Sequence, residues 1–108
     1  MSFSIETIGP FDNQVKRLSK KYPSFKSDLS VLIKSLGANP TQGKALGNGF
    51  YKVRISISSK GKGKSGGARV ITVVKIVKET VYLAYVYDKS EMASISDEEI
   101  RQIGNLIP

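Results

Sequence analysis

The sequence contains no cysteine and no histidine among its 108 residues. Without cysteine, disulfides, thiolate nucleophiles and cysteine-based metal sites are all excluded. Without histidine, the chain lacks the commonest metal ligand and the usual general base near neutral pH. Any catalysis by this chain must therefore use other side chains.

Long hydrophobic runs are also missing. No apolar run approaches the roughly 20 residues that are needed to span a bilayer. The first eleven residues, MSFSIETIGPF, have neither a basic segment nor a long apolar one, and so they do not resemble a signal peptide. We therefore expect a cytoplasmic protein that does not associate with membranes.

Acidic residues are missing from the middle of the chain. Between residues 29 and 78 there are ten basic residues and no Asp or Glu, and the net charge of the whole chain is +8. At the centre lies the Gly/Ser-rich run 58–69, SSKGKGKSGGAR. A long segment of one charge sign attracts polyanions, so we expect a nucleic acid partner. The lysines of the run are expected to dock on RNA phosphates: Lys60, Lys62 and Lys64.

Hydrophobic spacing predicts one α+β domain over residues 1–108. The predicted order is β-α-α-β-β-β-α, with a helical hairpin and a C-terminal helix packed on a mainly antiparallel sheet. The segment 37–49 is rich in Gly, Asn and Pro and is predicted to be a loop, with Gly37 capping the second helix. Ser96 and Glu99 match the capping box at the start of the last helix. The predicted elements before it are strand 3–8, helices 11–22 and 25–36, and strands 50–58, 68–77 and 81–88.

Two apparent phosphate-binding motifs are rejected. Residues 61–66, GKGKSG, satisfy the pattern G-x-G-x-x-G, and 63–65 resemble the end of a P-loop. Both motifs need a helix directly afterwards, so that the phosphate sits at the helix N-terminus. A β-branched run follows here instead, so both matches reflect only the composition of the run.

Basic and aromatic residues share one predicted face of the late strands. Lys52 and Arg54 are two apart, so they project to the same side of the sheet. Arg69 can lie beside them if the intervening loop closes a hairpin. Such a face could be an ordinary solvated surface. Clustering with the lysine run favours phosphate binding, and tyrosines suit RNA because their rings stack unpaired bases. Three more residues are placed on this face: Tyr85, Tyr87 and Lys89.

Four segments together resemble a known family. They are 50–54 (FYKVR), 61–71 (GKGKSGGARVI), 82–91 (YLAYVYDKSE) and 96–100 (SDEEI). The chain resembles the RelE/HigB-type toxins of bacterial type II toxin–antitoxin systems, which belong to the RelE/ParE superfamily. The similarity covers most of the chain, and GKGKSGGAR and YDKSE look specific to the HigB-like branch.

The resemblance implies an endoribonuclease that cuts mRNA, commonly on the translating ribosome, and that a cognate antitoxin protein silences. These toxins are similar to one another in using Lys, Arg and Tyr, without a metal or another cofactor. The 2′-OH of the RNA attacks the adjacent phosphorus, and a cationic site stabilises the charge that develops on the phosphoryl oxygens.

The resemblance also implies roles for individual residues. Lys52 and Arg54 would activate the 2′-OH and hold the phosphate, and Arg69 would stabilise the transition state. Lys89 would serve the leaving group. Some relatives have a catalytic tyrosine after the last strand, which this chain lacks, and Tyr87 could substitute for it. Tyr85 is expected to bind RNA.

Two other functions are open. A ParE-like toxin would share the fold but inhibit DNA gyrase by binding it, without nuclease chemistry. A non-catalytic module would only coat RNA. The convergence of basic residues favours the nuclease, because a binding inhibitor has no need of it.

Overall fold

A computed structural model describes residues 2–60 and 67–108. In chain order its elements are β1 (Ser4–Thr7), α1 (Gly9–Lys21), α2 (Phe25–Ala38), β2 (Lys44–Gly47), β3 (Phe50–Ile55), β4 (Ala68–Lys75), β5 (Thr80–Asp88) and α3 (Asp97–Gly104). A short 3-10 turn, Ser58–Lys60, follows β3. None of the helices in the described ranges is long and apolar enough to cross a bilayer.

The strands form one sheet in the order β1-β5-β4-β3-β2. Strands β2, β3, β4 and β5 pair antiparallel in sequence, while β1 pairs parallel with β5. A parallel pair requires a crossover, and here the chain passes through both hairpin helices and three strands before β5 pairs with β1. The predicted α+β fold with a mainly antiparallel sheet is confirmed.

Helices cover the two faces of the sheet unequally. Helices α1 and α2 bury Phe11, Leu18 and Phe25 against one face. The eight-residue α3 packs on the other face mainly through Ile103. Arg54 lies on this second face and is exposed, so part of the face beside α3 is open to a ligand.

The prediction of a loop over 37–49 is wrong for Lys44–Gly47, which form β2. Ala45 lies opposite Tyr51 of β3, and Leu46 packs on the α3 side of the sheet. Four residues are too few to show a clear alternation, and Gly/Asn-rich sequence on both sides masked the strand. The observed order therefore has one strand more than the predicted order.

Gly37 does not end α2. The helix continues to Ala38, and Asn39 caps it by donating its N–H to the Ser35 carbonyl at 2.8 Å. The carbonyl of Gly37 instead accepts the N–H of Phe3 at 3.0 Å. The glycine lies where the chain entering β1 passes close to the helix.

The ends of the elements differ slightly from the predicted ones. Strand β3 ends at Ile55 because the N–H and hydroxyl of Ser58 donate to the Asp28 carboxylate of α2, at 2.9 and 2.7 Å. The capping box is confirmed, since Glu99 N–H donates to Ser96 Oγ at 3.1 Å and Ser96 N–H donates to Glu99 Oε1 at 3.0 Å.

Candidate active site

A cleft of about 650 Å³ lies beside β3. This volume is typical of sites that hold a small ligand or part of a larger one. Five of its eight described lining residues are cationic and none is acidic. The lining residues are Gln42, Gly43, Lys44, Lys52, Val53, Arg54, Arg69 and Lys89.

Strand register brings the cations together. Lys44 of β2 lies opposite Lys52 of β3, and Arg54 lies opposite Arg69 of β4. Residues directly opposite each other in antiparallel strands share a face, with their Cβ atoms about 4.5–5.5 Å apart. The alternation along β3 puts Lys52 and Arg54 on the same side. Two neighbouring cross-strand pairs therefore direct four cations into one cleft.

The fifth cation comes from the end of β5. Arg69 lies opposite Tyr87, and Lys89 follows Tyr87 by two residues. The N–H of Lys89 donates to the Gly67 carbonyl at 3.0 Å, which ties the end of β5 to the start of β4. The four basic residues that the sequence analysis predicts to be catalytic thus all line one cleft.

The Arg54/Arg69 pair makes the cleft suitable for binding an anion. Arg69 is only 7% exposed, and its Nη1 donates to the Ala68 carbonyl at 3.1 Å. Like charges directly opposite each other destabilise a sheet, and an anion bound between them would offset that repulsion. The planar guanidinium suits a phosphate, because it can donate to two oxygens at once. The geometry therefore fits a phosphodiester.

Lys44 was not selected from the sequence. It falls within the segment 37–49 that the sequence predicts to be a loop, where the direction of a side chain cannot be deduced. Its membership of the acid-free stretch was the one available signal. Only the pairing of β2 with β3 shows that it lies opposite Lys52.

Tyr87 lies behind the cleft rather than on it. Its side chain is 3% exposed, and its hydroxyl has no hydrogen-bond partner among the described residues. Burial raises the pKa of Tyr87, and the nearby positive charge of Arg69 only partly opposes this. The hydroxyl is therefore protonated at neutral pH and cannot act as a base there. Its catalytic role stays a prediction.

Tyr85 lines a different groove. The strand pairing skips Ala84, so β5 bulges at this point, with Tyr85 opposite Ile71 and Leu83 opposite Thr72. Tyr85 lines a groove of about 240 Å³ next to α3, together with Ile103 and Leu106. The structure does not bring this tyrosine into the cationic cleft, and its RNA-binding role stays a prediction.

Lys60 is paired with a buried carboxylate. Its Nζ lies 2.7 Å from Asp88 Oδ1 and 5.3 Å from the centre of the Tyr22 ring, and its side chain is 11% exposed. Lys60 does not line the cleft. Lys62 and Lys64 lie outside the described residues, so the docking role of the three lysines stays a prediction.

Comparisons with known proteins identify the family and the fold of the chain. The family model for the RelE toxin of the RelE/RelB toxin–antitoxin system matches residues 12–106. Among solved structures, the chain is similar to a mutant of the E. coli toxin RelE with two arginines replaced by alanine, in the free state. The TM-score is 0.68 at 16% identity, over 95% of this chain and 99% of the other, which supports a common fold. Because the family match spans nearly the whole chain, this protein belongs to the RelE toxin family of toxin–antitoxin systems.

Proposed function

We propose that this toxin is an endoribonuclease that cleaves mRNA on the ribosome and so inhibits translation. The observation that carries the proposal is the pair Arg54 and Arg69, directly opposite each other in a cleft with three lysines. Attack on a phosphodiester builds negative charge on its non-bridging oxygens, and cations already in place stabilise that charge. Family membership supports the same class of reaction.

The proposed reaction is an internal transfer at phosphorus. The 2′-oxygen forms a bond to the adjacent phosphorus while the bond to the 5′-oxygen breaks, which leaves a 2′,3′-cyclic phosphate and a free 5′-OH. Lys52, as the neutral amine, accepts the proton of the 2′-OH and becomes an ammonium, and Lys89, as the ammonium, donates a proton to the departing 5′-oxygen. Arg54 and Arg69 hold the non-bridging oxygens between them. Protons and charge balance without a further reactant.

Lys44 joins this proposal as a binding residue. It lies opposite Lys52, at the β2 side of the cleft. We assign it to a neighbouring phosphate of the RNA, which would fix the position of the scissile bond. Tyr87, buried beside Arg69, is assigned to supporting that arginine. Metal ions are not part of the proposal, because the other four basic residues of the cleft supply the positive charge that a metal would provide.

The proposed partners are the ribosome with its mRNA and a cognate antitoxin protein. The net charge of +8 and the acid-free stretch 29–78 favour association with ribosomal RNA. The antitoxin follows from membership of a toxin–antitoxin family. Both partners imply action in the cytoplasm.

Induced expression in bacterial cells without an antitoxin tests the function. We expect growth arrest and shortened mRNAs with wild type, and normal growth with Arg69→Ala. Lys75→Ala is the matched control, because Lys75 is an exposed cation on the same strand and is not among the lining residues of the cleft. That variant is expected to remain toxic.

Purified components separate the alternatives. Cleavage should be faster on ribosomes programmed with mRNA than on free RNA, and the slower cleavage of free RNA should persist in excess EDTA. Normal growth with intact transcripts would contradict the proposal. A loss of DNA supercoiling with intact mRNA would point to a gyrase inhibitor, and tight RNA binding without cleavage would point to a non-catalytic module.

A further inference from the structure

Asp88 is a fully buried carboxylate at the end of β5. Tyr22 Oη donates to its Oδ2 at 2.5 Å, and Lys60 Nζ donates to its Oδ1 at 2.7 Å. The N–H and hydroxyl of Ser90 donate to the same Oδ1, at 2.9 and 2.7 Å. Burial by itself would raise the pKa of Asp88, but these donors outweigh it and hold the pKa well below its usual range. The carboxylate thus joins three parts of the chain that are distant in sequence.

The turn that follows Asp88 is fixed to α1 by a second acid. Arg17 Nη2 donates to Glu91 Oε1 at 2.8 Å, and Lys21 Nζ donates to Glu91 Oε2 at 2.8 Å. The N–H groups of Glu91 and Met92 both donate to the Asp88 carbonyl, at 3.0 and 3.1 Å. Residues 88–92 are therefore held to α1 by side-chain hydrogen bonds and held in shape by backbone hydrogen bonds within the turn.

Lys89 lies inside this turn and lines the cleft. Its neighbour Asp88 instead bonds to Tyr22 and Lys60, which do not line the cleft. The Lys89 N–H donates to the Gly67 carbonyl, and Asp88 lies opposite Ala68. One turn thus carries a buried carboxylate and, next to it, a cation of the cleft.

We propose that Asp88 is a positioning residue for Lys89, a role that rests on the proposed function. Lysine has a long flexible side chain, so the geometry of its ammonium group depends on how firmly its backbone is held. Catalytic groups must stay within about 0.5 Å of the productive geometry, and neighbouring hydrogen bonds provide that support. Asp88 fixes the residues on both sides of Lys89, through its own place in β5 and through Ser90.

A double-mutant cycle tests whether Asp88 acts through Lys89. The variants are Asp88→Asn, Lys89→Ala and the two combined, each measured for kcat and KM of mRNA cleavage and for thermal unfolding. We expect Asp88→Asn to lower kcat about tenfold, less than the roughly 100-fold that a 1 Å misplacement of reacting groups can cost, with KM changed less than about twofold. In the Lys89→Ala background, Asp88→Asn should lower kcat no further.

An equal loss of kcat in both backgrounds would overturn the proposal, because Asp88 would then act on the fold in general. Asp88→Asn leaves Lys60 buried without its counter-ion and could unfold the chain. The paired variant Asp88→Asn with Lys60→Met removes both charges, and the cycle with Lys89→Ala is repeated on it. Glu98→Gln, which breaks the exposed Arg101–Glu98 ion pair of α3, is the control and should leave kcat unchanged.

The same experiment separates this proposal from the proposed function. If wild type cleaves no RNA, the proposed function fails, and the cycle is measured on affinity for a single-stranded RNA oligonucleotide. There, additive effects of the two substitutions overturn the positioning role, and non-additive effects support it. If wild type cleaves RNA and Lys89→Ala cleaves equally well, the roles of both Lys89 and Asp88 are wrong while the nuclease stands.

Discussion

Arg54 and Arg69 lie opposite each other, but their surroundings differ. Arg54 is exposed at the end of β3, whereas Arg69 is 7% exposed and in contact with the backbone of its own strand. An exposed arginine can follow a moving substrate. A buried one is already in place before the substrate arrives, which is the condition for stabilising a transition state without reorganisation. Arg69 is therefore the residue for which we expect the largest single effect.

Replacing Arg69 with alanine should lower the rate of RNA cleavage on the order of 100-fold to 1,000-fold, as removal of one transition-state donor does in comparable sites. Arg69→Lys should also be impaired, because an ammonium group cannot donate to two oxygens in the same geometry. Single-turnover cleavage of ribosome-bound mRNA measures this, with circular dichroism to verify the fold and Lys75→Ala as the control. Near-normal cleavage by either Arg69 variant would refute the assignment.

The carboxylates of Asp88 and Glu91, in the turn 88–92, predict that the folded protein loses stability at low pH. Hydrogen bonds from Arg17 and Lys21 lower the pKa of Glu91 to about 2, and the pKa of Asp88 is also depressed. A depressed pKa means that the folded state binds its proton less readily than the unfolded state does. The stability from these groups is therefore present above about pH 4.5 and is lost as the pH falls towards 2.

Urea unfolding at a series of pH values checks this. The free energy of unfolding of wild type should fall steeply between about pH 4.5 and pH 2, and that of Glu91→Gln should fall less steeply over the same range. If both proteins show the same pH dependence, the ion pairs of Glu91 contribute nothing to stability.

Among the elements, the four-residue strand β2 helps to form the cleft. It covers part of the edge of β3 and adds Lys44 and Gly43 to the cleft. Gly43, just before the strand, has φ of +97°, and a Cβ there would lie 2.6 Å from the Lys52 carbonyl oxygen. The chain can approach β3 this closely only because residue 43 has no side chain.

Gly47 offers a matched comparison at the other end of β2. Its φ is +96°, but a Cβ there would meet nothing within 4 Å. Both Gly→Ala substitutions carry the cost of a positive φ, about 1–2 kcal/mol. Only Gly43→Ala must also move the strand away from β3. We expect Gly43→Ala to be the less stable variant in thermal unfolding and the one that loses cleavage activity. Equal effects on activity would show that the position of β2 is unimportant to the cleft.

At the scale of the whole molecule, positive charge is concentrated in the region that forms the cleft. The ten basic residues of 29–78 face no acid in their own segment, while five of the six acids in the last thirty residues are found in the turn 88–92 and on α3. Such a distribution orients an incoming polyanion towards the basic side. Lys60 is an exception, because Asp88 pairs with it.

Because Lys60 is paired with Asp88, we expect its substitution to act differently from substitution of Lys62 and Lys64 in the same run. Lys62→Ser with Lys64→Ser should weaken RNA binding and flatten its salt dependence by about 1.4 units, at about 0.7 for each single-stranded phosphate contact. Lys60→Ser should change the salt slope little but should lower the free energy of unfolding by about 1–3 kcal/mol, because the buried Asp88 carboxylate loses its nearest cation, at 2.7 Å, and keeps only Lys21 at 3.6 Å. Salt titrations of RNA affinity and urea unfolding measure the two effects. If Lys60→Ser alone changed the salt slope, this would show that Lys60 contacts RNA as the other two lysines are expected to do.

Features set by neighbouring residues could be predicted from the sequence. The alternation in 50–55 placed Lys52 and Arg54 on one side, and the capping box placed the start of α3, because both depend on spacings of two or three residues. The acid-free stretch and the family resemblance led to Arg69 and Lys89. The α+β class followed from the order of the hydrophobic patterns.

The tertiary structure decided everything that depends on which strands and turns meet. The register of β2 on β3 placed Lys44 in the cleft, while Tyr85, two strands away from β3, lies in a groove beside α3 and so outside the cleft. The pairing of Lys60 with Asp88, 28 residues away, gives an expected docking lysine a buried carboxylate as its partner. These contacts join residues far apart in the chain, and whether they form depends on the packing of the whole sheet against its helices, which no local spacing records.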